Sequence, residues 1–350
     1  VSELSAAELT AVADRLRGAG VDLAGSLEAV LIAGGRSNLT YAITDGASRF
    51  VLRTPPRAGR TASAHDVARE HRVTAALMAT DVPVAAAVLL CEDGDVLGAP
   101  FTVSGFVDGV AVRTQADLTP YDEASLTSVV NSLLEVLAAL HSVDHCAIGL
   151  ETFGRPDGYA ARQLRRWAGQ WESVGMEPLS GLAREVVNGL GISIPEQRSA
   201  SVVHGDFRID NTLLGVQGAT NADRVTAVVD WELSTIGDPV ADVAMMCAYR
   251  HDPFDLVIGA PSAWTSHRLP SADDLAAGYE RVGGVALEHW DFHHALACFK
   301  VAVISAGIDH RRRAGSGAGA GFDTAGQAVE PYLELARECL HSNRTRKDLT

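Results

Sequence analysis

Val202-Val203-His204-Gly205-Asp206-Phe207-Arg208-Ile209-Asp210-Asn211-Thr212-Leu213-Leu214 is the stretch on which the reading of this chain turns. An apolar pair enters a loop carrying His204, Asp206 and Asn211, and the loop leaves through a strand-like piece, Thr212–Leu214. Downstream, Val225-Thr226-Ala227-Val228-Val229-Asp230-Trp231-Glu232 reads as a buried strand that ends in a carboxylate. If these two pieces pair antiparallel, the start of the first lies beside the end of the second. Asn211 and Asp230 then meet at one end of a hairpin, with Asp206 in the entering loop. An amide oxygen and a carboxylate so placed suit a hard cation that keeps its waters, Mg²⁺ bound to phosphates. A second carboxylate nearby is positioned to take a proton from a hydroxyl nucleophile. Positioning, charge neutralisation and a base are what phosphoryl transfer requires.

Working outward, the first 20 residues have a helical pattern, with Leu4, Val12 and Leu16 on one stripe and Gly18 and Gly20 as a stop. Strand-like runs follow at Ala29–Ala33, Thr40–Thr44 and Arg49–Arg53, joined by the turns Gly34-Gly35-Arg36-Ser37-Asn38 and Asp45-Gly46. A helix is expected over Ser63–Ala79, then strands at Ala86–Cys91 and Phe101–Val107. Residues 29–107 thus read β-β-β-α-β-β, a small α+β unit. Beyond Asp108 helices dominate. Leu126, Val129, Val130, Leu133, Leu134, Leu137 and Leu140 define a buried helix face, and further helices are expected at 158–173, 178–189, 240–249, 272–283, 287–307 and 325–342. Arg311–Gly321, basic and then Gly/Ala/Ser-only, reads as a mobile loop.

The order Asp206-x4-Asn211 followed by Asp230 has the spacing of the protein-kinase catalytic loop and its metal-binding aspartate. With His204-Gly205 in front, it resembles the aminoglycoside phosphotransferase / choline kinase family. Phe50-Val51-Leu52-Arg53-Thr54-Pro55-Pro56 and Ser63-Ala64-His65-Asp66-Val67-Ala68-Arg69-Glu70 are similar to the kinase-like domain that in some proteins precedes an acyl-CoA dehydrogenase. The resemblance implies a two-lobed protein-kinase-like α+β fold: an N-terminal helix (1–28), an N-lobe (29–107) with an antiparallel sheet, and a mainly helical C-lobe (108–350). It implies ATP, with GTP as the alternative donor, and Mg²⁺ as cofactors. Asp206 matches the catalytic base, and Asn211 and Asp230 match metal ligands. Arg208, two residues after the base, is a candidate contact for the transferring phosphate or the acceptor. The nucleotide would lie against Gly35, Ser37 and Asn38 of the glycine turn, Arg53, and the hinge Gly105, Phe106 and Val107. Asp238 and Asp242 are expected to brace the catalytic loop through backbone hydrogen bonds, and His204 to act first as a brace.

Two positions depart from the kinase pattern. Arg53 stands where kinases carry a phosphate-binding lysine, and arginine binds phosphate through a planar fork. Its expected partner is Glu70, which shares a core-facing helical stripe with Val67, Thr74 and Leu77, where an unpaired carboxylate is costly. Asp230-Trp231-Glu232 replaces Asp-Phe-Gly, and Glu232 is either a further metal contact or solvated.

Composition narrows the alternatives. The 350 residues carry 29 Lys and Arg against 44 Asp and Glu, a formal charge of −15 and a pI near 5.2. Nucleic acid and anionic membrane surfaces are therefore not expected partners. No run of 18 apolar residues and no basic-then-apolar start is present, so a cytoplasmic protein is expected. Cys91, Cys146, Cys247, Cys298 and Cys339 are too scattered to spell a zinc motif or a disulfide scaffold. His289-x3-His293, with His294 beside it, lacks the glutamate of a zinc-protease helix and a third ligand, and reads as packed or substrate-lining histidine. Arg311-Arg312-Arg313 is a solvated patch or an anion site for a coenzyme A-like group. The expected activity is transfer of phosphate to a hydroxyl of a small molecule, an aminoglycoside or a hydroxyacyl compound, free or as its coenzyme A thioester. The alternatives are a kinase-fold binding protein without transfer activity, and a Mg²⁺-dependent phosphohydrolase.

Overall fold

Alternation of apolar side chains builds the N-terminal sheet of this computed structural model, which describes residues 3–33, 38–56, 66–216, 218–317 and 319–347. Helix α1 (Ala6–Gly18) opens on a capping box between Ser5 and Glu8 and buries Val12, Ala13 and Leu16. Strands β1 (Glu28–Ala33), β2 (Leu39–Thr44) and β3 (Arg49–Thr54) form a meander, followed by α2 (Val67–Leu77), β4 (Ala87–Cys91), the short α3 (Gly94–Leu97) and β5 (Phe101–Gly105). The five strands pair antiparallel in the order β1-β2-β3-β5-β4. Tyr41, Ile43, Phe50, Leu52, Phe101 and Val103 share one face and pack with Val12 and Leu16 of α1. The period of two sends Arg53, between Leu52 and Thr54, to the opposite face, toward α2. The β-β-β-α-β-β order read from the sequence is present, with α3 added between the last two strands. Residues 34–37 of the glycine turn and residues 57–65, and with them candidate residues Gly35 and Ser37, lie outside the described residues.

The C-terminal part follows as α4 (Glu123–Ser142), α5 (Tyr159–Val174), α6 (Ser180–Gly191), β6 (Ser201–Val203), β7 (Thr212–Leu214), β8 (Val225–Val228) and β9 (Thr235–Gly237). It ends with α7 (Pro239–Ala248), α8 (Phe254–Ile258), α9 (Ala272–Arg281), α10 (Trp290–Arg313) and α11 (Val329–Lys347). All seven stripe residues of α4 are buried. Length and composition alone would let α4 cross a membrane, but it is a core helix here. Helix α10 lies against α5, α7 and α11 and buries residues around most of its circumference. The fold is the two-lobed α+β arrangement expected from the sequence.

Two local readings need correction. Arg311–Arg313 belong to the last turn of α10, where Arg312 and Arg313 each reach back to the buried Asp309 at 2.8 Å. Cations at a helix C-terminus are favoured by the peptide dipoles, so the basic triplet extends the helix before the glycine-rich segment begins. β6 and β9, three residues each and paired antiparallel with Val202 opposite Ile236, carry no alternation long enough to read in advance.

Candidate active site

β7 and β8 pair antiparallel with Thr212 opposite Val228, and the Val229 N–H donates to the Asn211 carbonyl at 2.9 Å. The hairpin end therefore joins Asn211 to the segment that ends in Asp230. The loop before β7 is fixed from several sides. Asp242, in the first turn of α7, accepts the backbone N–H groups of His204 and Gly205 at 2.7 and 2.8 Å, and lies 3.2 Å from His141 Nε2 of α4. Burial opposes charge on Asp242, but His141 and these backbone donors outweigh it and hold the carboxyl below its ordinary value. Gly205 has φ +84°, and a Cβ there would stand 2.8 Å from the Leu233 carbonyl, so only glycine fits. His204, fully buried, donates from Nε2 to the Val229 carbonyl at 3.0 Å and accepts the Asp206 N–H at Nδ1. Its ring packs on Trp231, 4.8 Å between centroids. His204 is thus a brace between the two halves of the site. Asp238 departs from expectation: it caps its own helix α7 through the Val240 N–H, not the catalytic loop.

Asp206 is held by two neighbours. Its Oδ1 pairs with Arg208 Nη1 at 2.9 Å and its Oδ2 accepts from Asn211 Nδ2 at 2.8 Å. The same Asn211 amide also donates to the Asp206 carbonyl at 2.8 Å. With both amide hydrogens spent, Asn211 Oδ1 is the end left to bind a cation. Burial pushes the Asp206 carboxyl up, opposed by Arg208. Arg208 itself bridges Asp206 and Asp210 (2.6 Å) and lies over the adjoining Tyr249 and Phe254 rings at 5.0 and 5.1 Å. Burial works against its charge, but the two carboxylates hold it firmly protonated.

At the end of the same hairpin, Asp230 adopts the left-handed conformation (φ 64°, ψ 59°), uncommon for a residue with a Cβ. Arg53 connects the halves, with Nη1 3.2 Å from Glu70 and Nη2 3.4 Å from Asp230 Oδ1. Glu70 also accepts from Asn38 Nδ2 at 2.9 Å. Burial pushes Glu70 up to about 7; Arg53 opposes this, and Asp230 and Glu232 reinforce it. Among the described residues, Arg53 Nε and Asn38 Oδ1 are buried without a hydrogen-bond partner. An orphaned guanidinium donor beside a carboxylate cluster fits a site for phosphate oxygens and their cation. Helix α2 is anchored over this point by Arg69, which donates to the carbonyls of Phe153 and Ser234 at 2.6 and 3.0 Å. Gly105 ends β5, the Phe106 N–H bonds to the Arg49 carbonyl at 3.1 Å, and Val107 continues into the linker.

Lys300 escaped the sequence reading. It stands on α10 with its ammonium 5.5 Å from the Trp167 ring, near enough to Asp206 and Asp242 for both to oppose the lowering of its pKa by burial. A lone lysine in the apolar run Ala297–Ala302 was the available signal. His289 and His293 do not converge on a site: His293 is buried, 3.7 Å from Asp238, and pushed down to about 4.

The family model of the phosphotransferase enzyme family matches residues 28–294, and the chain belongs to that family. Mouse acyl-CoA dehydrogenase family member 10 is 32% identical over 321 residues, covering 91% of this chain and 30% of that protein. The chain spans less than half the length of the curated relatives it matches. A crystal structure of a proposed aminoglycoside phosphotransferase from Ralstonia eutropha JMP134 superposes with a TM-score of 0.81, at 31% identity over 95% of this chain and 98% of that one. A thermostable mutant of aminoglycoside phosphotransferase APH(4)-Ia, complexed with AMP-PNP and hygromycin B, shares the fold at a TM-score of 0.59 and 18% identity, covering 91% of this chain and 94% of that one.

Proposed function

We propose that the chain transfers the γ-phosphoryl group of ATP, with Mg²⁺, to a hydroxyl of a small molecule. The observation that carries this reading is the convergence of Asp206, Asn211 and Asp230 at one hairpin end, with Arg53 tying Asp230 to Glu70. Asn211 Oδ1 and the Asp230 carboxylate are the donors for Mg²⁺, a set of hard oxygens suited to a phosphate-bound ion. When bound, Mg²⁺ neutralises phosphate charge and orients the transferring group. Arg53 offers its unpaired Nε to a phosphate oxygen, and Glu70 fixes the guanidinium in place. Asp206 orients the acceptor hydroxyl and takes its proton on a carboxylate oxygen. Arg208, held in two ion pairs, acts through Asp206 by positioning it and opposing the protonation that burial favours. The hinge 105–107 and Asn38 border the nucleotide.

The acceptor we favour is a hydroxyacyl compound or its coenzyme A thioester. The relatives' membership of acyl-CoA dehydrogenase families supports it, and so does Lys300, close enough to Asp206 to feel its charge, which suits an anionic substrate better than a polycationic antibiotic. ADP formation measured with aminoglycosides, hydroxy acids and hydroxyacyl thioesters, using ATP and GTP in turn, tests this. Acceptor-dependent ADP release with a hydroxyacyl compound is expected, lowered about 10²–10⁴-fold in Asp206→Asn. Phosphate release independent of any acceptor would instead mark a phosphohydrolase.

A further inference from the structure

Behind the Tyr249–Phe254 layer that supports Arg208, the packing of α10 against α11 and the α7–α8 turn gathers residues that the sequence scatters. His294 and Cys298, four apart on α10, present side chains on one helix face. His251, from the α7–α8 turn, brings its Nε2 to 3.5 Å from His294 Nε2, with the two rings stacked at 5.5 Å. The ligand atoms of His251, His294 and Cys298 all lie within 4.8 Å of one another, and the last two residues are buried. Cys339, on α11, places its Sγ 3.7 Å from His294 Nδ1. His251 and His294 also line a cavity of about 750 Å³, whose wall includes Asp252, Asp273 and Glu334.

We propose that His251 Nε2, His294 Nε2 and Cys298 Sγ bind one zinc ion, with the fourth position turned toward this cavity and filled by water. Two nitrogens about 2.0–2.1 Å from a tetrahedral zinc stand about 3.3–3.4 Å apart, close to the separation of the two imidazoles. Two imidazoles and one sulfur select zinc over Mg²⁺, which requires oxygen. Cys339 completes the arrangement as the partner of His294 Nδ1–H, which fixes the tautomer that leaves Nε2 with its lone pair for the metal. On binding, the Cys298 thiol releases its proton to solvent as the zinc–sulfur bond forms. Three protein ligands leave one position of the ion open to water from the cavity, and the ion ties the α7–α8 turn to α10.

The test uses the full chain, reduced and stripped by a chelator, titrated with Co²⁺ in place of zinc. Expected are a thiolate-to-cobalt charge-transfer band and the intense visible bands of tetrahedral Co²⁺, saturating at one ion per chain and abolished by added Zn²⁺. Cys298→Ser loses the charge-transfer band, and His251→Gln weakens binding at least tenfold. Cys339→Ser keeps the band with affinity lowered about 10–100-fold. Asp230→Gly keeps both band and affinity, which separates this site from the proposed Mg²⁺ site. A wild-type protein that shows no thiolate band at excess Co²⁺, or a Cys298→Ser protein that retains it, overturns the proposal. Because the wild-type titration needs no substitution, misfolding of a variant leaves it decisive.

Discussion

Asp230 pays for its position with backbone strain, since a residue with a Cβ in the left-handed region costs about 1–2 kcal/mol. Asp230→Gly removes that strain and one of the charges crowding Glu70, and it adds the greater chain entropy of glycine, about 0.5–1 kcal/mol. Unliganded stability measured by urea unfolding is therefore expected to stay within about 1 kcal/mol of wild type, or to rise, while the proposed cation ligand is gone. Glu70 gives a second test. Its carboxyl has an ordinary value of 4.5 and is pushed up to about 7 by burial. Between those values the native state keeps a proton that the unfolded chain has lost. The group's contribution to stability is thus full below pH 4.5 and is lost as the pH rises to about 7. Melting temperature followed from pH 4.5 to 8 should fall less steeply over this window in Glu70→Gln than in wild type. Equal slopes would contradict the assignment. If Lys300 meets the proposed acceptor, Lys300→Gln should raise KM for an anionic substrate about tenfold or more with kcat little changed, the mark of lost uniform binding.

At the scale of elements, the β7–β8 hairpin and the first turn of α7 make the loop that carries Asp206 one unit. Asp242 is only 3% exposed and serves two backbone donors and His141. Asp242→Ala strands all three, and is expected to cost roughly 3–5 kcal/mol in urea unfolding, with kcat falling because Asp206 is no longer held. The hairpin was legible in the sequence because two apolar runs flank the polar loop, and antiparallel pairing admits one meeting of Asn211 and Asp230. Arg53 opposite Glu70 was legible because strand and helix periods independently turn both toward the same gap. β6 and β9 were not, since three residues show no period. Asp238 was misjudged because a carboxylate before Pro239 caps its own helix, and spacing alone does not separate that from a brace. The His251–His294–Cys298 cluster was hidden because helix packing, which local pattern does not encode, brings together residues 43 and 47 positions apart.

Across the whole molecule, Arg53 and Arg69 carry the N-terminal sheet and α2 onto the C-terminal half at the segment around Asp230 and Ser234. A nucleotide bound at the proposed site would contact both lobes and stabilise the chain as one body. Thermal unfolding with ATP, with and without Mg²⁺, on wild type and Asp230→Gly is the most direct measurement. At a hundredfold excess over Kd, binding adds about 2.7 kcal/mol, a rise of several degrees at this size. That rise is expected only with ATP and Mg²⁺ together, and only in wild type. No shift in wild type with either ATP or GTP, or an equal shift in Asp230→Gly, would contradict it.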